Sequence, residues 1–348
     1  MYRQLIRPLL FLLPPEAAHE LVAFMLRQTM HIPGMPWLMR NVYSGKGHDH
    51  PRDLFGLHFP SPIGLAAGFD KKGNLYPAMG QFGFGFIEIG TVTPRPQAGN
   101  PRPRLFRLPS QKAMINRMGF NNEGVMAMVR RISRQKRPEH ISGHPIILGG
   151  NIGRNTLTSA SDTIGDYVRC FTSLAPWVDY ITINVSCPNV SGLNNLQQKD
   201  ELQQLLGAIQ HENQLRPRPL PLFLKISPDL SETQLDQIIH LAFDHDIKAL
   251  VATNTSALRE GLDIPQKRID RLGSGGLSGK PLSAKSTRTI AYIHKKSQGR
   301  MPVIASGGIM SSQDALEKLN AGACLVQLYT GFIYEGPSMV KKIMRSLG

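Results

Sequence analysis

The stretch ITINVSCPN, residues 181 to 189, runs an alternating apolar segment into Asn184, Ser186, Cys187 and Asn189. Two amides, a hydroxyl and a thiol are thereby offered together. A cysteine, with a reference pKa near ~8.5, can take a proton without a metal where its surroundings favour thiolate. The plain alternative is a strand stop, because Pro188 cannot donate to a ladder and Asn favours turns. What separates the two readings is whether other segments deliver partner groups to the same place.

Several segments could. Lys71 in GFDKKG and Lys225 in FLKIS each follow or sit within an apolar run, where a lysine seldom serves packing. Asn116 and Asn254 add donors and acceptors for a small heterocycle with imide-like edges, and such a pocket rejects ligands that leave those groups unpaired. The turns SGGI, with Gly307 and Gly308, and YTGF, with Tyr329 and Thr330, offer bare backbone N–H groups suited to an anion. A third glycine-rich loop, GSGGLSGKP from Gly273, could close over the same anion. In a flavin site, a lysine near the N1/C2 carbonyl edge would stabilise the reduced, anionic ring.

The elements that must position these groups recur along the chain. Eight short apolar runs begin at Pro62, Phe84, Pro145, Val178, Pro221, Lys248, Met301 and Cys324, each separated from the next by enough chain for a helix. In one connecting stretch, SETQLDQIIHLAFDHD, Leu235, Ile238, Ile239 and Ala242 share a face, and Ser231 with Gln234 forms a capping box. Eight such alternations predict a TIM (β/α)8 barrel, with an open doubly wound sheet as the competing fold. In a barrel the active groups gather at the C-terminal strand ends. Those ends supply Lys71, Thr91, Asn151, Asn184 to Asn189, Lys225, Thr253 to Thr255, Gly307 with Gly308, and Tyr329 with Thr330.

Composition narrows the partners. The chain of 348 residues can bury a large core in one main domain, and its formal charge of +15 implies attraction to something anionic. Three cysteines, without CxxC or His–Cys spacing, argue against a disulfide framework and a metal site. Cys170 and Cys324 read as small buried hydrophobes. No apolar run reaches the roughly 18 residues that span a bilayer.

The motifs GLAAGFDKKG, GFIEIGTVTPRPQAGNPRPRLFRL, INRMGFNN, NVSCPN, TNT, GGLSGKPL and LVQLYTGFIYEGP resemble the dihydroorotate dehydrogenases of the membrane-associated, quinone-reducing class 2 type. The resemblance runs along nearly the whole chain. It implies an FMN enzyme of pyrimidine biosynthesis that oxidises (S)-dihydroorotate to orotate and passes the electrons to a respiratory quinone. By motif position it assigns FMN contacts to Ala67, Gly68, Lys71, Thr91, Asn151, Asn184, Lys225, Thr253, Gly279, Gly308, Tyr329 and Thr330. Lys71, Asn116, Arg117, Met118, Gly119, Phe120, Asn184, Asn189, Asn254 and Thr255 would hold the substrate. Cys187 would be the base at C5 while C6 gives its hydride to flavin N5. His19, Arg107 and Tyr329 match residues around that class's quinone site. Class 2 enzymes usually carry serine where this chain has Cys187, and the soluble class 1 enzymes carry cysteine.

Residues 1–45 read as an N-terminal helical hairpin and residues 46–348 as the FMN-binding barrel. Leu5, Ile6, Leu9, Leu12 and Leu13 share one helical face, Ala17, Ala18, Leu21, Val22 and Met25 another, and Pro14-Pro15 divides them. Such a hairpin packs on the barrel or lies in the interface of an anionic membrane and admits quinone. The expected location is peripheral, at the cytoplasmic face of the cell membrane, with the protein a monomer. Residues 89 to 122 hold several arginines and no acid, and RRISRQKR at 130–137 is a second basic cluster. The tRNA dihydrouridine synthases share a flavin barrel, an active cysteine and a basic surface, but too little chain follows Thr330 for their RNA-binding domain, so no nucleic-acid partner is expected.

Because a thiol ionises more readily than a hydroxyl, Cys187→Ser should move the acid limb of the pH–rate profile to higher pH. Superimposable profiles for the two proteins would remove the thiol from the acid–base role.

Overall fold

The computed structural model describes residues 2–44, 50–186 and 199–348, so Cys187 and Asn189 lie outside the described residues. Eight parallel strands form a closed barrel. In chain order they are β1 (Ile63–Asp70), β2 (Phe86–Val92), β3 (Ile147–Ile152), β4 (Tyr180–Asn184), β5 (Leu222–Ile226), β6 (Ala249–Ala252), β7 (Val303–Ser306) and β8 (Ala323–Leu328). Each pairs with its sequence neighbour, and β8 closes on β1 with Val326 opposite Ile63 and Leu328 opposite Leu65. The eight apolar runs are these strands. An open doubly wound sheet is excluded by the β8–β1 pairing.

Every residue of β2 through β7 is buried, as parallel strands covered on both faces require. The inner face near the strand starts is packed with Phe86, Tyr180, Phe223, Ile304 and Leu325. A hairpin of Arg52–Leu54 and Leu57–Phe59 closes that end, its Phe55 ring 5.0 Å from Phe223 and its Phe59 ring 5.4 Å from Phe86. These rings need room on neighbouring strands. A Cβ on Gly149 would stand 2.0 Å from the Tyr180 ring, so only glycine fits there.

The outer face is covered by helices. In the helix Glu232–Asp244, the Ser231 hydroxyl accepts from the Gln234 N–H and the Gln234 side chain accepts from the Ser231 N–H, the capping box foreseen in the sequence. Leu235, Ile238, Ile239 and Ala242 are buried, the larger three each contributing about 1.5–3 kcal/mol.

Two features were not anticipated. A three-stranded antiparallel sheet, Leu105–Leu108 with Ala113–Asn116 and Gly276–Gly279, stands at the C-terminal end of the barrel. The glycine-rich segment read as a loop is therefore one of its strands. Also, the N-terminal extension has three helices rather than two: α1 (Arg7–Leu12), α2 (Pro15–Thr29) and α3 (Met35–Tyr43). Ala18, Ala23 and Met39 are buried, and Leu26, Met30 and Met35 pack on the core. The other side stays open: Leu5, Leu9, Leu12, Phe24, Met25 and Trp37 are all more than half exposed, Leu12 at 81%. Arg3 and Arg7 turn to the barrel, pairing with Glu335 at 3.4 Å and donating to the Tyr334 carbonyl at 3.0 Å.

Ser231→Ala should lower the unfolding free energy by about 1 kcal/mol, read from a chemical-denaturation midpoint, with Ser231→Asp restoring most of it. Equal midpoints for all three proteins would deny the cap its role.

Candidate active site

Asp70 ends β1, and its buried carboxylate accepts from the backbone N–H groups of Asn74, Leu75 and Tyr76 at 2.8–3.1 Å. Burial pushes its pKa up against the pull of those amides. The anchored turn carries Lys71, whose Nζ donates to Asn121 Oδ1 at 2.6 Å. Lys225, on β5, is buried too.

Between the strand ends and the antiparallel sheet lies a cavity that, with its open mouth, holds about 1000 Å³ of empty space. Its walls come from seven of the eight strand ends and from the antiparallel sheet. Ala67, Gly68, Lys71 and Thr91 line it from β1 and β2; Asn184, Lys225, Thr253, Asn254 and Thr255 from β4 to β6; Gly308, Tyr329 and Thr330 from β7 and β8. Asn116, Met118, Gly119, Phe120 and Gly279 complete it. Gly307, expected at a strand end, lines it as well, and so do Ser278, Leu282, Met310 and Gln327, which were not singled out in the sequence.

Two residues expected at the flavin or the substrate, Asn151 and Arg117, do not line the cavity, and His19 and Arg107, expected at the quinone site, lie outside its walls. Asn151 lies behind the wall, its Oδ1 2.5 Å from Thr91 Oγ1 and 3.2 Å from Asn184 Nδ2. The Arg117 guanidinium faces away from the cavity, donating to the Leu272 carbonyl at 2.7 Å and lying 4.7 Å over the Phe106 ring. Arg107 pins the end of α1 instead of lining the cavity: it donates to the Leu10 and Leu13 carbonyls and stacks 4.4 Å over Phe11. Glu16 and Glu20 of α2 pair with Arg104 and Arg102 at 3.0–3.3 Å, so this arginine row clamps the helices to the antiparallel sheet. His19 lies outside the cavity walls, its ring 5.2 Å from Phe69, which in turn is 5.6 Å from Tyr329. Burial and the nearby Lys71 charge hold the His19 imidazole below its usual pKa, with Glu20 and Glu16 opposing. Burial alone raises the Tyr329 phenol to about 12.

The glycine-rich end of the cavity is built from close backbone approach. Gly308 has φ 74°, and a Cβ on it would stand 2.2 Å from Ser283 Cα; a Cβ on Gly279 would stand 2.3 Å from the Lys112 carbonyl oxygen. Among the described residues no backbone carbonyl accepts from the N–H of Gly307 or Gly308. Unsatisfied donors at a polar mouth call for an anion. Ser278 and Thr330 share a 2.9 Å hydrogen bond beside them.

Deep in the barrel, Glu88 is fully buried among donors, and the sequence reading passed over it. A signal existed: GFIEIG puts a carboxylate inside a strand apolar on both faces, where a charge needs partners.

A closed (β/α)8 barrel whose strand-end mouth joins two lysines, a row of amides and a glycine-rich turn has the architecture of a barrel enzyme with a polar site at its strand ends. Residues 51–348 match the model of the family described as dihydroorotate dehydrogenase. A curated relative from Christiangramia forsetii, named dihydroorotate dehydrogenase (quinone), is 46% identical over 100% of this chain and 98% of its own. One of the same name from Methylococcus capsulatus is 43% identical over 99% and 98%. The solved structure of ligand-free DHODH from Eimeria tenella superposes with a TM-score of 0.86 at 34% identity, covering 96% of this chain and 94% of that one. The chain belongs to the dihydroorotate dehydrogenase family.

Gly308→Ala should leave the barrel folded by circular dichroism while weakening a phosphate-bearing ligand, probed with FMN, by about tenfold or more. Unchanged FMN affinity would place the phosphate elsewhere.

Proposed function

We propose that the protein oxidises (S)-dihydroorotate to orotate, with FMN as its flavin and a membrane quinone as final electron acceptor, as a step of pyrimidine biosynthesis. The observation that carries this reading is the meeting of Lys71, Lys225, the amide row and the Gly307–Gly308 turn at one mouth. The family uses a flavin, and the unsatisfied N–H groups of Gly307 and Gly308 suit the phosphate of FMN. Residues 46–348 form the flavin-binding barrel, and residues 1–45 the extension that meets the membrane.

The FMN set is Ala67, Gly68, Lys71, Thr91, Asn151, Asn184, Lys225, Thr253, Gly279, Gly308, Tyr329 and Thr330, with Asn151 acting through the Thr91 and Asn184 side chains it holds. Bound there, FMN supplies the two-electron acceptor for the hydride that leaves substrate C6. Lys225, buried on β5, stabilises negative charge gained at its end of the mouth. Asn116, Asn184, Asn254 and Thr255 orient the pyrimidine through paired donors and acceptors, and Lys71 attracts its carboxylate. Asn189 belongs with them. Cys187 takes the C5 proton, which keeps the step balanced as hydride departs from C6.

Quinone approaches from the N-terminal helices. The exposed apolar residues of α1 to α3 support insertion into a bilayer interface, and the ring contacts from His19 through Phe69 to Tyr329 support a path from α2 to the cavity wall. Among the described residues no helix is long and apolar enough to cross a membrane. Peripheral attachment of a monomer at the cytoplasmic face of the cell membrane suits that construction.

Purified protein should be yellow, bleach anaerobically with dihydroorotate, and recover its colour faster with quinone than with fumarate or NAD. Recovery fastest with fumarate or NAD would overturn the acceptor, and a flavin that dihydroorotate leaves oxidised would overturn the substrate. A chain lacking residues 1–40 should still bleach but lose quinone reduction and binding to vesicles containing anionic lipid. Full retention of both would remove the extension from either role.

A further inference from the structure

We infer that Glu88 is a positioning residue that sets the hydrogen-bond polarity of the substrate and flavin amides, although it stands below the cavity and touches neither ligand. The inference rests on the reading of this mouth as a flavin and dihydroorotate site.

Glu88 sits inside the barrel on β2 with 0% exposure. Four donors converge on it. Asn151 Nδ2 donates to Oε1 at 2.7 Å; Gln327 Nε2, Thr182 Oγ1 and the Tyr180 hydroxyl donate to Oε2 at 2.8, 3.0 and 3.3 Å. Both Glu88 oxygens accept in all four contacts, so each amide facing them presents its nitrogen. That choice fixes where every amide oxygen goes.

The consequence propagates outward. With its nitrogen held by Glu88, Asn151 must turn Oδ1 toward the mouth, where it accepts from Thr91 Oγ1 at 2.5 Å and from Asn184 Nδ2 at 3.2 Å. Asn184, its nitrogen thereby directed inward, turns Oδ1 to Asn254 Nδ2 at 3.3 Å. Asn254 spends its second Nδ2 hydrogen on Ser186 Oγ at 3.1 Å, which leaves Oδ1, and that oxygen also accepts from the Thr255 N–H at 2.8 Å. The second branch ends on Gln327, whose Oε1 is buried without a donor among the described residues. Thus one carboxylate decides which atoms of Asn184 and Asn254 are held inside the network and which are left to accept from a ligand. Reversing it would leave donors facing donors in a dry interior, where an unmade hydrogen bond is costly.

Glu88→Gln conserves shape and replaces one acceptor by a donor. In the flavin-loaded enzyme, orotate is titrated against the visible spectrum of the flavin, so the readout is binding rather than turnover. Glu88→Gln should weaken orotate by about tenfold or more. The decisive comparison is the double variant Glu88→Gln with Asn151→Asp. There residue 88 can donate to a carboxylate at 151, whose other oxygen again accepts from Thr91 and Asn184, so the outer amides recover their facing. Orotate affinity should return to within about threefold of the parent, and if Glu88→Gln alone fails to fold, the double variant should restore a folded flavoprotein. A Glu88→Gln protein that binds orotate like the parent, or a double variant no better than the single one, would overturn the inference. Failure of the parent itself to hold flavin or orotate would instead overturn the functional reading beneath it.

Discussion

The mouth exists because the sheet closes. Val326, Gln327 and Leu328 of β8 run parallel to Ile63, Gly64 and Leu65 of β1, and that single seam brings the Tyr329–Thr330 end of the chain beside Gly68 and Lys71. The hydroxyl of Tyr329 donates across it to the Gly68 carbonyl at 3.3 Å. Without the seam, Lys71 and Lys225 would belong to distant regions of an open sheet. Closure in turn depends on filling the interior: the Phe86, Tyr180 and Phe223 rings occupy the lower end, where Phe59 plugs it from below.

Above those rings the interior changes character. Glu88, Asn151, Thr182, Asn184 and Gln327 form a buried polar layer between the aromatic plug and the cavity. Apolar packing would hold such a layer as firmly, because a buried charge rarely adds net stability. Polar groups there fix orientation, which apolar side chains cannot do. The strand ends above are glycine-rich on one side of the mouth and amide-rich on the other.

Much of this is legible in the sequence. All eight strands announce themselves, because parallel strands buried on both faces must be short apolar runs and each here stops at a small or polar residue. The helix after β5 carries its own start signal in Ser231 and Gln234. The antiparallel sheet over the mouth escapes, since Gly276–Gly279 has the composition of a loop and becomes a strand only when Ala113–Asn116 lies against it. Motif position likewise names Arg107 and Arg117 without revealing where a long side chain points. Both guanidiniums are spent on backbone carbonyls and an aromatic face, holding the walls of the site in place. Glu88 is missed for the opposite reason: its role is carried by partners from β3, β4 and β8 that no local pattern links.

The central claim is that one closed mouth holds one FMN by its phosphate and its ring together. Titrating flavin-free protein with FMN and with riboflavin, following the quenching of flavin fluorescence, tests this most directly. One FMN per chain is predicted, with riboflavin weaker by about 100-fold or more because it lacks the phosphate proposed for the Gly307–Gly308 end. Equal affinity for the two flavins, or no saturable binding of either, would contradict it.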